Sequence, residues 1–150
     1  VGIVGEMLAK YRRVANNNIE KVLMVEGAEV NMPAFVDFFV YSAYDAVVKR
    51  ELLDGKLKSK LIAQMFIQLM EFYRRPVRKA MKHSKRYLPP HTIGEIAALA
   101  KEHVSLGNMA GEGWFLTGEM VKLIRHGVPN VVCLQPFGCL PNHITKRLIY

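Results

Sequence analysis

The sequence predicts a small three-layer α/β domain with a parallel sheet and an inserted helical section at about residues 33–104. Three observations predict it. Residues 1–5 and 128–134 are short apolar runs punctuated by glycine or proline, and both read as buried strands. The opening stretch up to Met32 reads strand, helix, strand, which is the grammar of a βαβ unit. Between these ends, residues 34–53 and 57–83 repeat apolar groups at helical spacing.

Each element has its own signal. Gly2 and Gly5 punctuate the first strand, and Gly5 turns the chain out of it. Residues 8–15 are basic and mixed, and read as loop or a short helix. Asn16-Asn17-Asn18 offers N-cap chemistry to a helix carrying Ile19, Val22 and Leu23, with Gly27 placed to stop it. Glu29-Val30-Asn31-Met32 reads as a second strand closed by Pro33. Pro33 suits the first position of a helix over 34–53, which Asp54-Gly55 ends. The pattern over 57–83 sets Leu61, Ile62, Met65, Phe66, Leu69, Met70 and Tyr73 at the spacing of a core face, and Pro76 should kink or divide it. Leu88-Pro89-Pro90 breaks the chain, and Thr92 with Glu95 forms a capping box for a helix to about residue 103. A further helix from Trp114 to His126 is stopped by Gly127. The strand over 128–134 leads into a stiff loop and a helix that starts near Asn142.

The chain has 150 residues, of which 51% are hydrophobic and 23% charged, enough for one domain with a sizeable core. That composition excludes a disordered chain. No apolar run approaches the roughly 20 residues of a membrane span, so no membrane partner is expected. Two cysteines cannot staple a domain of this size and point to a reducing, cytoplasmic setting. The net charge of +8 favours anionic partners without choosing among them. The chain opens on a strand without Met or a signal-peptide pattern, and closes a few residues into a helix. It is therefore expected to be a fragment of a longer polypeptide.

The strongest chemical signal is the segment from Cys133 to Cys139. Open α/β sheets bind ligands beyond the carboxyl ends of their strands. Cys133 lies near the end of its strand and Cys139 in the loop beyond, where Pro136, Gly138 and Pro141 fix the path. A thiolate there suits an iron–sulfur cluster or zinc, although five intervening residues exceed common zinc spacings. Cys133 reads first as a small apolar core residue; Cys139, flanked by turn residues, reads evenly as a ligand or reactive thiol on the one hand and an ordinary cysteine on the other. Asn142 and His143 begin the next helix, Asn142 reading first as a cap and His143 as a proton donor or a surface residue. The Gly111-Glu112-Gly113 loop also precedes a helix and lets backbone approach a ligand, but it lacks the ending of a P-loop. Arg74, Arg75, Arg78, Lys79, Lys82, Lys85 and Arg86 form a basic strip, read first as a solvated helix face and second as a phosphate-binding surface. No nucleic-acid-binding signature accompanies it, so nucleic acid is a disfavoured partner. No Ser-His-Asp ordering or paired-carboxylate motif stands out.

Two segments carry a resemblance: Gly111-Glu112-Gly113-Trp114-Phe115-Leu116-Thr117-Gly118-Glu119-Met120, and Val131-Val132-Cys133-Leu134-Gln135-Pro136-Phe137-Gly138-Cys139-Leu140-Pro141-Asn142-His143. They resemble the large proteins related to the activators of 2-hydroxyacyl-CoA dehydratases, the CoA-substrate-specific enzyme activase family. Residues 1–6, Asn16-Asn17-Asn18 and 74–90 are similar to the same region. The resemblance implies the part related to the dehydratase subunits, not the ATPase. It implies Rossmann-like subdomains that hold an iron–sulfur (4Fe–4S) cluster through cysteines of different subdomains. It implies an anaerobic system in which an ATP-hydrolysing activator passes a low-potential electron to a cluster-bearing partner. Cys139 is then the first candidate ligand and Cys133 the second. Gly111, Glu112, Gly113, Asn142 and His143 are cofactor-binding candidates.

The implied partners are an ATPase activator domain or dehydratase subunits, with acyl-CoA and a second copy of the chain also compatible. The sequence departs from the family pattern after His143, where Thr145-Lys146-Arg147-Leu148 replaces an expected Gly-Lys-Gly helix start. Gly118 stands where Ala is expected, which loosens its helix by at most about 1 kcal/mol. The alternative class is a docking or scaffold module with ordinary cysteines.

Overall fold

The computed structural model describes residues 1–84 and 89–146. Along these the order is β1 (Gly2–Gly5), α1 (Met7–Tyr11), α2 (Ile19–Val25), α3 (Phe35–Leu52), α4 (Leu57–Lys82), α5 (Ile93–Lys101), α6 (Gly113–Arg125), β2 (Val131–Leu134) and α7 (Leu140–Lys146). The chain divides into two compact units, one of residues 1–35 with the chain from Ile96 onward, the other Val36–Glu95.

The three-layer α/β expectation is corrected by the strand content. The described residues are 60% helix and 6% strand, and their sheet is one parallel pair, β1 with β2, in the register Gly2 to Val131 through Gly5 to Leu134. Glu29-Val30-Asn31-Met32 contributes a single bridge, Asn31 to Gly2, instead of a strand. The physical reason is local. Pro33 has no N–H to extend that ladder, and Pro129 and Pro136 bracket β2 in the same way. At its end, β1 passes straight into the Glu6 cap of α1. No Rossmann-like sheet with helices on both faces can grow from strands stopped so early.

In the first unit α6 is the centre. Leu116, Met120 and Leu123 of α6 pack with Val4 of β1, and Val128, Val131 and Cys133 lie against that cluster. Trp114 and Leu116 are fully buried. At Gly118, α6 meets α5 closely: a Cβ there would lie 2.6 Å from Ile96 Cγ2 and 2.7 Å from the Ile96 carbonyl oxygen. Gly118→Ala is therefore expected to destabilise by about 1–3 kcal/mol through overpacking, against its gain of about 1 kcal/mol in helix propensity. Thermal unfolding followed by circular dichroism checks the sign, which propensity alone puts the other way.

Two cap expectations are revised. Asn18 holds the N-cap of α2 in a left-handed conformation, φ 57°, and makes no side-chain cap bond. Asn16 instead donates from Nδ2 to the Ala9 and Lys10 carbonyls at 2.9 and 3.2 Å, closing the end of α1. The α7 helix begins at Leu140, so Asn142 sits inside its first turn and not at the cap.

In the second unit, the Thr92–Glu95 box closes as the spacing predicts. The Thr92 N–H donates to Glu95 Oε2 at 2.7 Å, and the Glu95 N–H to Thr92 Oγ1 at 3.3 Å. The Thr92 backbone donor holds the Glu95 carboxyl below its ordinary value; burial opposes it, and Thr92 Oγ1 and His91 add smaller lowering contributions. The Asp37–Arg74 and Glu51–Lys60 pairs join each end of α3 to the opposite end of α4, which fixes the two helices antiparallel. The α4 helix runs through Pro76 undivided. Its apolar repeat is not the expected core face: Ala63 is its one buried residue, while Leu61, Ile62, Met65, Phe66, Leu69 and Tyr73 are exposed.

Candidate functional site

The predicted site residues gather around the carboxyl edge of the β1–β2 pair, and Gly5 creates that edge. Its φ is +125°, a conformation that side chains of L residues rarely take. A Cβ there would fall 1.9 Å from the Leu134 carbonyl oxygen. With no Cβ, the two strand ends touch, and the Glu6 N–H donates to Leu134 O at 2.8 Å.

Two carboxylates then satisfy the start of α1. Glu6 accepts from the Leu8 N–H at 3.0 Å and the Ala9 N–H at 2.8 Å. Glu112 Oε1 accepts from the Met7 N–H at 3.2 Å. The Glu112 side of the glycine loop is thus engaged with α1. The Gly113 N–H donates to Ala110 O at 3.1 Å and the Trp114 N–H to Asn108 O at 2.7 Å, so both donors are already used inside the fold. Gly111, with φ +60°, faces Pro141 of α7 at ordinary van der Waals distance. The loop over 111–113 therefore braces the site from beside it.

Lys10 and Glu119 lie behind this brace. Lys10 Nζ is 3.2 Å from Glu119 Oε2, and the two side chains are 6% and 2% exposed. Such a pair ties α1 to α6 and is strongly sensitive to removal of either partner.

The loop after β2 carries Cys139. Gln135 leaves the strand, the Cys139 N–H donates to Pro136 O at 3.3 Å, and Gly138 takes φ +76° to close the bend. Cys139 is half-buried and unbonded to another cysteine, and its carbonyl accepts the His143 N–H at 3.0 Å as α7 begins. Gln135 Nε2 is 2.8 Å from His143 Nδ1. Phe137 at the tip is fully exposed, and Leu140 and Ile144 beside it are 66% and 48% exposed. Cys133, paired with Val4, packs against the α6 cluster and is half-buried, as Cys139 is.

Asn142 is fully buried, and neither its Oδ1 nor its Nδ2 has a hydrogen-bond partner among the described residues. It lies where α7 packs on α6; on the same pair of helices Thr117 Oγ1 donates to the Thr145 carbonyl at 3.2 Å. Of the basic strip, Arg74 is paired with Asp37, and Arg78 is paired with Glu71 and donates from Nε to Pro90 O at 3.0 Å. Arg75, Lys79 and Lys82 are exposed, while Lys85 and Arg86 lie outside the described residues, as do Tyr87, Leu88 and Arg147-Leu148. A hollow of about 310 Å³ on α2, lined by Asn17, Asn18, Lys21, Val22, Val25 and Glu26, includes none of the predicted site residues.

Among the described residues no group of three or more His, Cys, Asp or Glu side chains is placed to hold a metal ion. No helix described is long and apolar enough to cross a membrane. Comparisons with family models, with curated proteins and with solved structures found no match.

Sequence reasoning missed Glu6, Gln135 and the Lys10–Glu119 pair. Glu is not among the favoured N-cap residues, so Glu6 carries no local signal. The other contacts depend on residues distant in sequence, for which one chain offers no spacing rule.

Proposed function

We propose that this chain is a module of an anaerobic electron-transfer system of the 2-hydroxyacyl-CoA dehydratase and activase type. In this reading Cys139 gives one thiolate to an iron–sulfur cluster completed by ligands from outside the chain. The observation that carries it is the placement of Cys139. The residue is half-buried, as Cys133 is, and it follows the Pro136–Gly138 bend beyond the carboxyl end of β2, where parallel strands present ligand-binding loops. The donor set fits a shared site and does not fit a complete one, since a cluster takes four thiolates or their equivalent.

A bound cluster supplies one-electron chemistry at low potential. The chain's own residues do the rest. The bend closes through the Cys139 N–H bond to Pro136 O, and Gln135 holds the His143 ring one helical turn beyond Cys139. Phe137, Leu140 and Ile144 form an apolar rim that a partner surface would cover, excluding water and tuning the potential.

Anaerobic reconstitution of the full-length polypeptide with iron and sulfide tests this reading. Cys139→Ala is expected to lower bound iron, and the visible charge-transfer absorption of thiolate on iron, by at least about tenfold. Cys133→Ala is expected to leave both unchanged. Unaltered iron and colour in Cys139→Ala would remove the ligand assignment. The exposed rim would then favour the second reading, a docking module with ordinary cysteines.

A further inference from the structure

The α4 helix faces the wrong way for a helix whose partners are all at hand. Written as heptads with Ile62 and Leu69 at a and Met65 and Phe72 at d, its a, d, e and g positions form the exposed side. Ile62 is 68% exposed, Met65 71%, Leu69 53%, Phe72 59% and Tyr73 69%. The half-buried side holds Ile67, Met70, Glu71, Arg74 and Arg78, the last three joined in ion pairs with one another and with Asp37. The more apolar face thus meets solvent and the ion-paired face meets the fold. Neighbouring apolar side chains at helical spacing make one stripe, and contiguous exposed apolar surface marks interaction sites.

Charge selects the occupant. Arg75 and Lys82 stand at successive g positions and Lys79 at the following d, all three exposed. Glu71, the single carboxylate of α4, lies on the other side and is bound to Arg78. A second copy of the chain would bring no carboxylate to these cations from its own α4. Arg75 and Lys82 flank the stripe along one edge. The second edge is Ser59, Phe66, Tyr73 and Ala80. The spacing 62, 65, 69, 72 alternates steps of three and four, the pattern that takes knobs from a facing helix.

We infer that α4 docks an amphipathic helix of a partner protein, with an apolar seam over Ile62, Met65, Leu69 and Phe72 and carboxylates beside Arg75, Lys79 and Lys82. This goes beyond the Cys139 reading and does not depend on it.

The probe is a synthetic helix with Leu at a and d and Glu at e and g, compared with its Lys-flanked counterpart by fluorescence anisotropy. The Glu peptide is expected to bind at least about tenfold tighter, with affinity falling as salt rises. Arg75→Glu/Lys79→Glu/Lys82→Glu should invert the preference. Met65→Asp and Leu69→Asp, both at exposed positions, should abolish binding while circular dichroism shows the fold unchanged. Equal binding of both peptides, no effect of the seam variants, self-association through this face in sedimentation, or binding to phosphatidylserine vesicles in place of the Glu peptide would each overturn the inference.

Discussion

Replacing Gly5 with Ala is expected to destabilise the protein by at least about 3 kcal/mol, from backbone strain of roughly 1–3 kcal/mol and overpacking of a similar size. The added Cβ meets backbone: Leu134 O at 1.9 Å and Leu134 C and N at 2.7 Å. Either β1 and β2 part at that end, or Gly5 leaves its φ of +125° and re-aims Glu6. Both responses break the Glu6 N–H to Leu134 O bond and disturb the Gln135–Cys139 bend that follows. At roughly 2–4 °C per kcal/mol for a chain of this size, Tm should fall by about 6–12 °C. An unchanged Tm would show that the strand ends do not touch as described.

Lys10→Met is expected to cost about 3–5 kcal/mol, because Glu119 would keep its carboxylate in a site 2% exposed without the ammonium 3.2 Å away. The double variant Lys10→Met/Glu119→Leu should recover most of the loss, since a well-packed apolar pair often replaces a buried ion pair at little cost. Urea titrations of both single variants and the double variant measure the coupling. Single variants whose losses simply add in the double would show that the two groups do not act as a pair.

Punctuation was legible in the sequence. Gly27 and Gly127 follow helix ends with φ of +82° and +81°, and Thr92 with Glu95 closes its box. These are contacts within a few residues, where chemistry and spacing are enough. The parallel pairing of residues 2–5 with 131–134 agrees with the two apolar runs at the ends. The strand over 29–32 was over-read because a short apolar run carries no statement about ladder length, which Pro33 cuts off.

Periodicity marks an apolar stripe on α4 but not whether the same chain covers it, and here the described chain does not. Asn18 and Asn142 have cap chemistry without cap geometry. Asn18 is left-handed, and α7 starts two residues before Asn142, turning its amide into the α6–α7 contact. The site followed the same division. The bend from Pro136 to Cys139 could be read from its prolines and glycine. The engagement of Glu112 with Met7 could not, since it joins residues more than a hundred positions apart.

Both cysteines are half-buried, and the proposed ligand role requires the sulfur at 139 to be the one that iron reaches. Differential alkylation tests it most directly: iodoacetamide labelling of both cysteines in the same anaerobic full-length sample, before and after reconstitution with iron and sulfide, quantified by mass spectrometry. The account predicts that Cys139 labels faster than Cys133 in the iron-free protein and becomes protected once iron is bound. Labelling of Cys139 at the same rate with and without bound iron, or faster labelling of Cys133, would contradict it.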